Sequence, residues 1–443
     1  MTRKTASVPR SLGDGLVLRW ATAADAEELA EFNFRMHNDN PGGVPEVWLK
    51  EWTRELMSGS HPTTDAGDFT VVVDRNAEDR IVSTAVLISQ LWRYAGQPFG
   101  CGCPELIGTD PDYRLRGLVD AQMDLIHARS AERGQLVQAI TGIPWFYRQF
   151  GYEMAMELSG GRRLELASIP ALASGQQERF RLRRAKVDDI PDLARLYEIE
   201  CSRSLVSCQR DVGIWRHEIA RGDSGNARRL FTIVRQDGSM AGYVNLAGGG
   251  RLDIVRELVV SRDIAMREVA LFVGRWLKAR LRDEAGNSPA SISGIYLRLG
   301  TDHLAYEALK RELGRTIRPY AWYVRVPDLA TFLMRIRPAL EARLSESAMA
   351  GYSGALRLNF YRSQLALTFD GGRLVDVDAY RPAQFFDGDA FFPDLSFLQL
   401  LFGYRSLEEI GHIRPDCFPE RDEAAVLLAA LFPKQPSQVV HVV

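Results

Sequence analysis

The sequence predicts an α+β protein with mixed sheets, divided into several domains. Three observations carry that expectation. At 443 residues the chain exceeds one ordinary domain, and length alone suggests about three. Amphipathic helical stretches alternate with short β-rich runs from Leu16 onward. The pattern of Val17–Phe32 (a strand, an Ala, an Asp and an apolar helix) returns at Phe180–Tyr197, an internal repeat on the scale of a whole domain.

Composition narrows the class. A hydrophobic fraction of 46%, a charged fraction of 25% and a net charge of -2 describe a globular protein with a large core. There is no basic excess to point to nucleic acid, and the positive charge is mostly Arg. Cys101, Cys103, Cys201, Cys208 and Cys417 are odd in number and scattered, so buried reduced thiols are expected rather than a disulfide framework. Cys101-Gly-Cys103 has no second Cys or His pair at zinc-site spacing, and no metal is expected. Met1–Gly15 reads as a polar N-terminal tail without an apolar signal segment. No run reaches the roughly 18 apolar residues of a membrane span, so the expectation is a cytoplasmic protein with no membrane partner.

In order, Leu16–Trp20 reads as a strand, and Thr22 caps a helix with acidic residues in its first turn. Glu46–Met57 reads as a helix with Trp48 and Trp52 on one face. Strands are expected at Phe69–Asp74 and Ile81–Trp92, with a turn around Asn76–Asp79. Between the first two helices, His37 and Asp39 stand at a helix end and in a turn-rich loop. They either contact a substrate amine or are simply solvated.

The stretch Asp110-Pro-Asp-Tyr-Arg-Leu-Arg-Gly-Leu-Val119 is the centre of the chemistry. It reads as the end of a strand, a basic loop with one glycine, and a helix over Leu118–Glu132, where Leu118, Ala121, Leu125 and Ala128 recur at helical spacing. The first amides of a helix lack intrahelical partners and sit at the positive end of its dipole. Arg114 and Arg116 add full charges there, and Gly117 lets an anion approach the backbone.

Tyr113-Arg-Leu-Arg-Gly-Leu118, the helix after it, a strand over Gln135–Ile140 and Phe146-Tyr-Arg-Gln-Phe-Gly-Tyr152 follow in an order that resembles the acetyl-CoA-binding core of the GCN5-related N-acetyltransferase (GNAT) superfamily. The resemblance implies that Arg114, Leu115, Arg116, Gly117, Leu118 and Val119 wrap the pyrophosphate of acetyl-CoA. It also implies that Ile107, Gly108 and Thr109 offer backbone donors to the pantetheine arm and thioester carbonyl, and that Tyr147 protonates the leaving thiolate. The chain departs from the pattern at its third position, where Val119 replaces a small residue.

The repeat gives residues 16–163 as the catalytic domain and 178–326 as a degenerate second copy. At the matching loop the second copy reads Ser261-Arg-Asp-Ile-Ala-Met-Arg-Glu-Val269, without glycine and with two acids, which repels a pyrophosphate. Residues 327–443 change character. Asp328–Ser345 reads as an amphipathic helix, strands follow at Ala355–Phe360, Gln364–Phe369 and Arg373–Val377, and a further helix beyond Phe391 has Asp394 or Ser396 as its cap. That order resembles a sterol-carrier-protein-like domain. Two acetyltransferase-like domains followed by it resemble the enhanced intracellular survival family of bacterial acetyltransferases.

This wider resemblance implies a homo-oligomer, often a hexamer, and a C-terminus threaded into the first domain's active site, where the carboxylate of Val443 acts on the acceptor amine. An amine must lose a proton before it attacks a thioester. The terminal carboxylate either receives that proton or attracts and orients the cation. The acceptor is either a polyamine-like small molecule such as an aminoglycoside or a lysine side chain. Two other readings stand beside an active enzyme: a non-catalytic acyl-CoA-binding or regulatory protein, and a lipid-binding protein acting through its C-terminal domain.

Overall fold

A computed structural model of the chain describes residues 8–38, 46–221, 228–247, 253–285 and 293–440. The class is the expected one, mixed sheets with helices against them. The first sheet runs Arg10–Gly13, Leu16–Trp20, Phe69–Asp74, Arg80–Tyr94, Gln97–Thr109, Val137–Ile140, Tyr320–Arg325 and Glu153–Leu158. All six residues of Phe69–Asp74 are buried because the sheet is covered on both faces. Successive side chains separate accordingly: Val71 and Val73 pack with Leu29, Phe32 and Trp52, whereas Val72 packs with Leu118, Ala121 and Leu125.

The second sheet runs Leu313–Ile317, Gly161–Glu165, Gly294–Leu297, Ile254–Val260, Met240–Leu246, Arg229–Arg235 and Phe180–Arg184. From Phe180–Arg184 to Gly294–Leu297 it repeats the first sheet's arrangement, antiparallel neighbours followed by one parallel pair. Three strands cross the boundaries read from the repeat, the shortest being Val206–Cys208, which pairs with Arg80–Tyr94 in the first sheet. Gly161–Glu165, beside the first boundary, lies in the second sheet between Leu313–Ile317 and Gly294–Leu297. Tyr320–Arg325, beside the second, lies in the first sheet between Val137–Ile140 and Glu153–Leu158. Each half therefore supplies a strand to the other half's sheet.

The last part forms a five-stranded sheet, Arg373–Asp378, Gln364–Asp370, Gly354–Asn359, Ala390–Phe391 and Phe418–Pro419. The expected single helix over Asp328–Ser345 is two, Leu329–Arg335 and Arg337–Ser345. Pro338 has no amide to continue the first helix and is tolerated in the first turn of the second. The cap expected at Asp394 or Ser396 is not made: Asp394 has φ 49°, and the Ser396 hydroxyl donates to the Pro393 carbonyl at 2.8 Å. Instead Ser406 caps Leu407–Ile413 in a capping box with Glu409. This part packs on the first sheet through Tyr94, whose hydroxyl donates to the Leu401 carbonyl at 2.7 Å, and through Phe99 edge-on to Phe332 at 5.3 Å.

Candidate active site

The helix after the basic loop spans Leu118–Glu132, as its periodicity predicts. Gly117 precedes it at φ 70°, a left-handed conformation that glycine adopts without steric cost. Ala121 makes the first helical bond, to the Gly117 carbonyl at 3.2 Å. That leaves the amides of Leu118, Val119 and Asp120 as the orphan donors of the first turn. Arg114 and Arg116 are exposed beside them. Arg116 stacks over Tyr113 at 5.1 Å, and Tyr113 is fixed by donating to Asp74 at 2.7 Å. The loop is thus held while both guanidinium heads face outward.

Val119 is half-buried against Met123, Tyr147 and Tyr152, beside Ile107 and Phe146. Its side chain fills the floor of the site, while its amide stays in the first turn with the other donors. The loop opens into a cleft of about 1040 Å³, lined by Ile107, Gly108, Thr109, every residue from Arg114 to Val119, and Tyr147. Eleven of the thirteen candidate residues of the sequence analysis therefore meet in one place. Val443 and Asp39 lie outside the described residues; His37 lines the cleft.

The cleft exists because two parallel strands separate. Gln97–Thr109 pairs with Val137–Ile140 only at Cys101 and Gly102, and beyond Gly102 the edge of Ile107–Thr109 away from Arg80–Tyr94 has no strand beside it. Where they part, the register against Arg80–Tyr94 slips between Thr84 and Val86. Leu106, opposite this slip, has φ 48°. A bulge of this kind re-aims the residues beside it.

One of those residues, Glu105, was not anticipated. Its side chain lines the cleft with Tyr147. Burial pushes its carboxyl up to about 7, against the smaller opposing effect of a hydrogen bond with Thr141. A group of that acidity is suited to exchanging protons near neutral pH. The available signal was a lone acid in the otherwise apolar run Phe99–Ile107, which is short on reasons to be structural.

Tyr147 sits in an aromatic nest, 5.1 Å from Phe146, 5.8 Å from Tyr323 and 6.2 Å from Tyr152. Burial, reinforced by the Glu105 charge and then by Tyr323, pushes its phenol well above the usual tyrosine range. It keeps its proton throughout ordinary conditions. Gly142 makes room for it: an added Cβ there would lie 1.8 Å from the Tyr147 ring. The other arm of the cleft carries Met36, Glu46, Trp48, Leu49 and Trp52, with the two indoles 6.1 Å apart.

Comparison with known proteins fits this geometry. The family model for the acetyltransferase (GNAT) domain matches residues 31–155. No curated protein matches the sequence. Among solved structures, a conserved protein of Enterococcus faecalis described as a probable N-acyltransferase is 14% identical, with 96% of this chain and 98% of that one covered and a TM-score of 0.67. A GCN5-related N-acetyltransferase from Kribbella flavida is 15% identical, covering 97% and 100%, at a TM-score of 0.64. Eis1 from Mycobacterium abscessus is 16% identical, covering 95% and 98%, at 0.59. At these identities the shared property is the fold, which extends over the whole length and not only over the acetyltransferase domain. Among the described residues no three His, Cys, Asp or Glu side chains cluster as metal ligands, and no helix is long and apolar enough to cross a membrane.

Proposed function

We propose that the chain is an acetyl-CoA-dependent N-acetyltransferase that acylates a primary amine by direct attack on the thioester. The acceptor is a polyamine-like small molecule such as an aminoglycoside, or a lysine side chain. The observation that carries the proposal is the meeting of the basic loop, an open strand edge, a protonated phenol and a carboxyl near 7 in one cleft.

The cofactor site suits the group. Three orphan amides, two exposed guanidiniums and a left-handed glycine form a cradle for a pyrophosphate, through Arg114, Leu115, Arg116, Gly117, Leu118 and Val119. Acetyl-CoA supplies a thioester carbonyl as electrophile and a thiolate as leaving group. Backbone donors of Ile107, Gly108 and Thr109 stabilise the negative charge that develops on the carbonyl oxygen. Glu105 takes the proton of the attacking amine, directly or through water. Tyr147 hands its hydroxyl proton to the departing sulfur and recovers one from solvent.

The carboxylate of Val443 belongs to the same proposal as a second anionic group near the amine, drawing its support from the whole-length likeness to Eis1 and to the other two structures. So does the domain assignment: residues 16–163 catalytic, 178–326 a degenerate copy, 327–443 a sterol-carrier-protein-like part, in a homo-oligomer of the enhanced intracellular survival type. Cytoplasmic residence joins it on the five free cysteines. The test is thiol release from acetyl-CoA across a panel of amines, with calorimetry for cofactor binding. Tight binding without release for any amine would leave a binding protein and remove the enzyme.

A further inference from the structure

The second sheet has a separation of the same kind. Ile254–Val260 pairs with Gly294–Leu297 only at Ile254 and Val255, and past these positions Arg256–Val259 line one side of a gap and Leu299 with His303 the other. In the first sheet the corresponding gap is the open cleft of about 1040 Å³. Here the remaining space is about 10 Å³, at the lower limit for a single water. The material that fills it includes Gln438 and Val440, from the far end of the chain.

The contacts of this segment are specific. The Leu205 amide donates to the Pro436 carbonyl at 2.9 Å, and the Val206 amide to the Ser437 hydroxyl at 3.2 Å. The Gln438 amide donates to the Ser204 hydroxyl at 3.3 Å. Arg210, with a fully buried side chain, donates to the Val440 carbonyl at 3.2 Å while bridging Glu257 at 3.1 Å. Gly300, at φ +87°, lies so close that an added Cβ would stand 2.6 Å from the Gln438 amide oxygen. Ser437, Val439 and Val440 are all buried.

We infer that the second sheet's cleft is a peptide-binding site whose occupant is the chain's own segment 436–440, held by Ser204–Val206 and Arg210. Two consequences follow. The degenerate copy holds no acyl-CoA, so binding is limited to one cofactor per chain. It also anchors the C-terminal segment, whose last described residue, Val440, is held by its backbone. The bound segment buries one small polar side chain at Ser437 and β-branched residues at Val439 and Val440, and Gln438 lines the gap beside Val440.

The test uses the full-length protein and carboxypeptidase, with mass spectrometry of the shortened chains. The expected result is that the native protein is not trimmed past Val440, whereas Gly300→Val (a branched side chain driven into Gln438) and Ser437→Trp (too large for the gap) are trimmed back to Pro436 roughly 10- to 100-fold faster, as expected when a locally bonded segment is released. Ser437→Trp changes only the terminal segment, so it remains informative if Gly300→Val fails to fold. Native protein trimmed to Pro436 as fast as the variants, or variants protected as well as the native chain, overturns the inference. In parallel, calorimetry with acetyl-CoA should give a stoichiometry of one, and two would overturn it. No acetyl-CoA binding at all would instead count against the acetyltransferase reading, since the trimming assay needs no cofactor.

Discussion

Replacing Glu105 by Gln should change both the pH dependence of the rate and that of stability, in opposite senses. The Glu105 carboxyl is raised from 4.5 to about 7 by burial. Between those values the folded protein holds a proton that the unfolded chain has released, so the native protein loses stability as pH rises across this window. At about 1.4 kcal/mol per unit of difference, the loss amounts to about 3 kcal/mol by pH 8. Glutamine has nothing to ionise and is close in shape, so E105Q should be up to about 3 kcal/mol more stable than the native protein at pH 8 and nearly equal to it at pH 4. Its rate should move the other way. Native kcat/KM should climb through pH 7 as Glu105 ionises, and E105Q should lose that limb and about two to four powers of ten in turnover. Denaturant melts at the two pH values and initial rates of thiol release from pH 5 to 9 measure both. A variant that keeps the limb near pH 7 and its turnover would show that the amine proton goes elsewhere.

Three other outcomes are expected. Arg116→Glu combined with Gly117→Asp puts two negative charges at the helix N-terminus and should abolish acetyl-CoA binding in calorimetry with the far-UV spectrum unchanged, whereas Arg267→Glu in the second copy, which breaks a bidentate pair with the buried Glu312 and a bond to the Ala308 carbonyl, should leave affinity unaltered. Tyr147→Phe should lower kcat by about two to four powers of ten with little change in acetyl-CoA affinity, as for a group needed when the sulfur departs, and full turnover would reduce the residue to packing. A tag added after Val443, or an amidated terminus, should suppress turnover on a verified acceptor while cofactor binding persists; normal turnover of the tagged protein would remove the terminal carboxylate from the mechanism.

Most of the basic loop was legible because its chemistry is local. Gly117 and the periodicity of Leu118, Ala121 and Leu125 specify a turn and a helix within a few residues, and the helix runs from Leu118 to Glu132 as read. Glu105 was not legible, since its place depends on a bulge at Leu106 and on the divergence of a strand some 30 residues later. Pro338 was a visible signal that the apolar periodicity of Leu329–Leu340 overrode in the reading, although it divides the helix in two. The exchange of Gly161–Glu165 and Tyr320–Arg325 left no trace in either segment, because alternation shows that a strand has a buried face and does not say which sheet receives it.

That exchange bears on how the protein is made. A ribosome releases Glu153–Leu158 well before Tyr320–Arg325, and at about 5–20 residues per second the interval is roughly ten to thirty seconds. Throughout it the first sheet has no strand to put between Val137–Ile140 and Glu153–Leu158, so two lengths of backbone wait with unmet amides and carbonyls. The cleft cannot mature before most of the second copy has been synthesised. A nascent chain arrested near residue 200 should therefore be a client of chaperones rather than a small working enzyme.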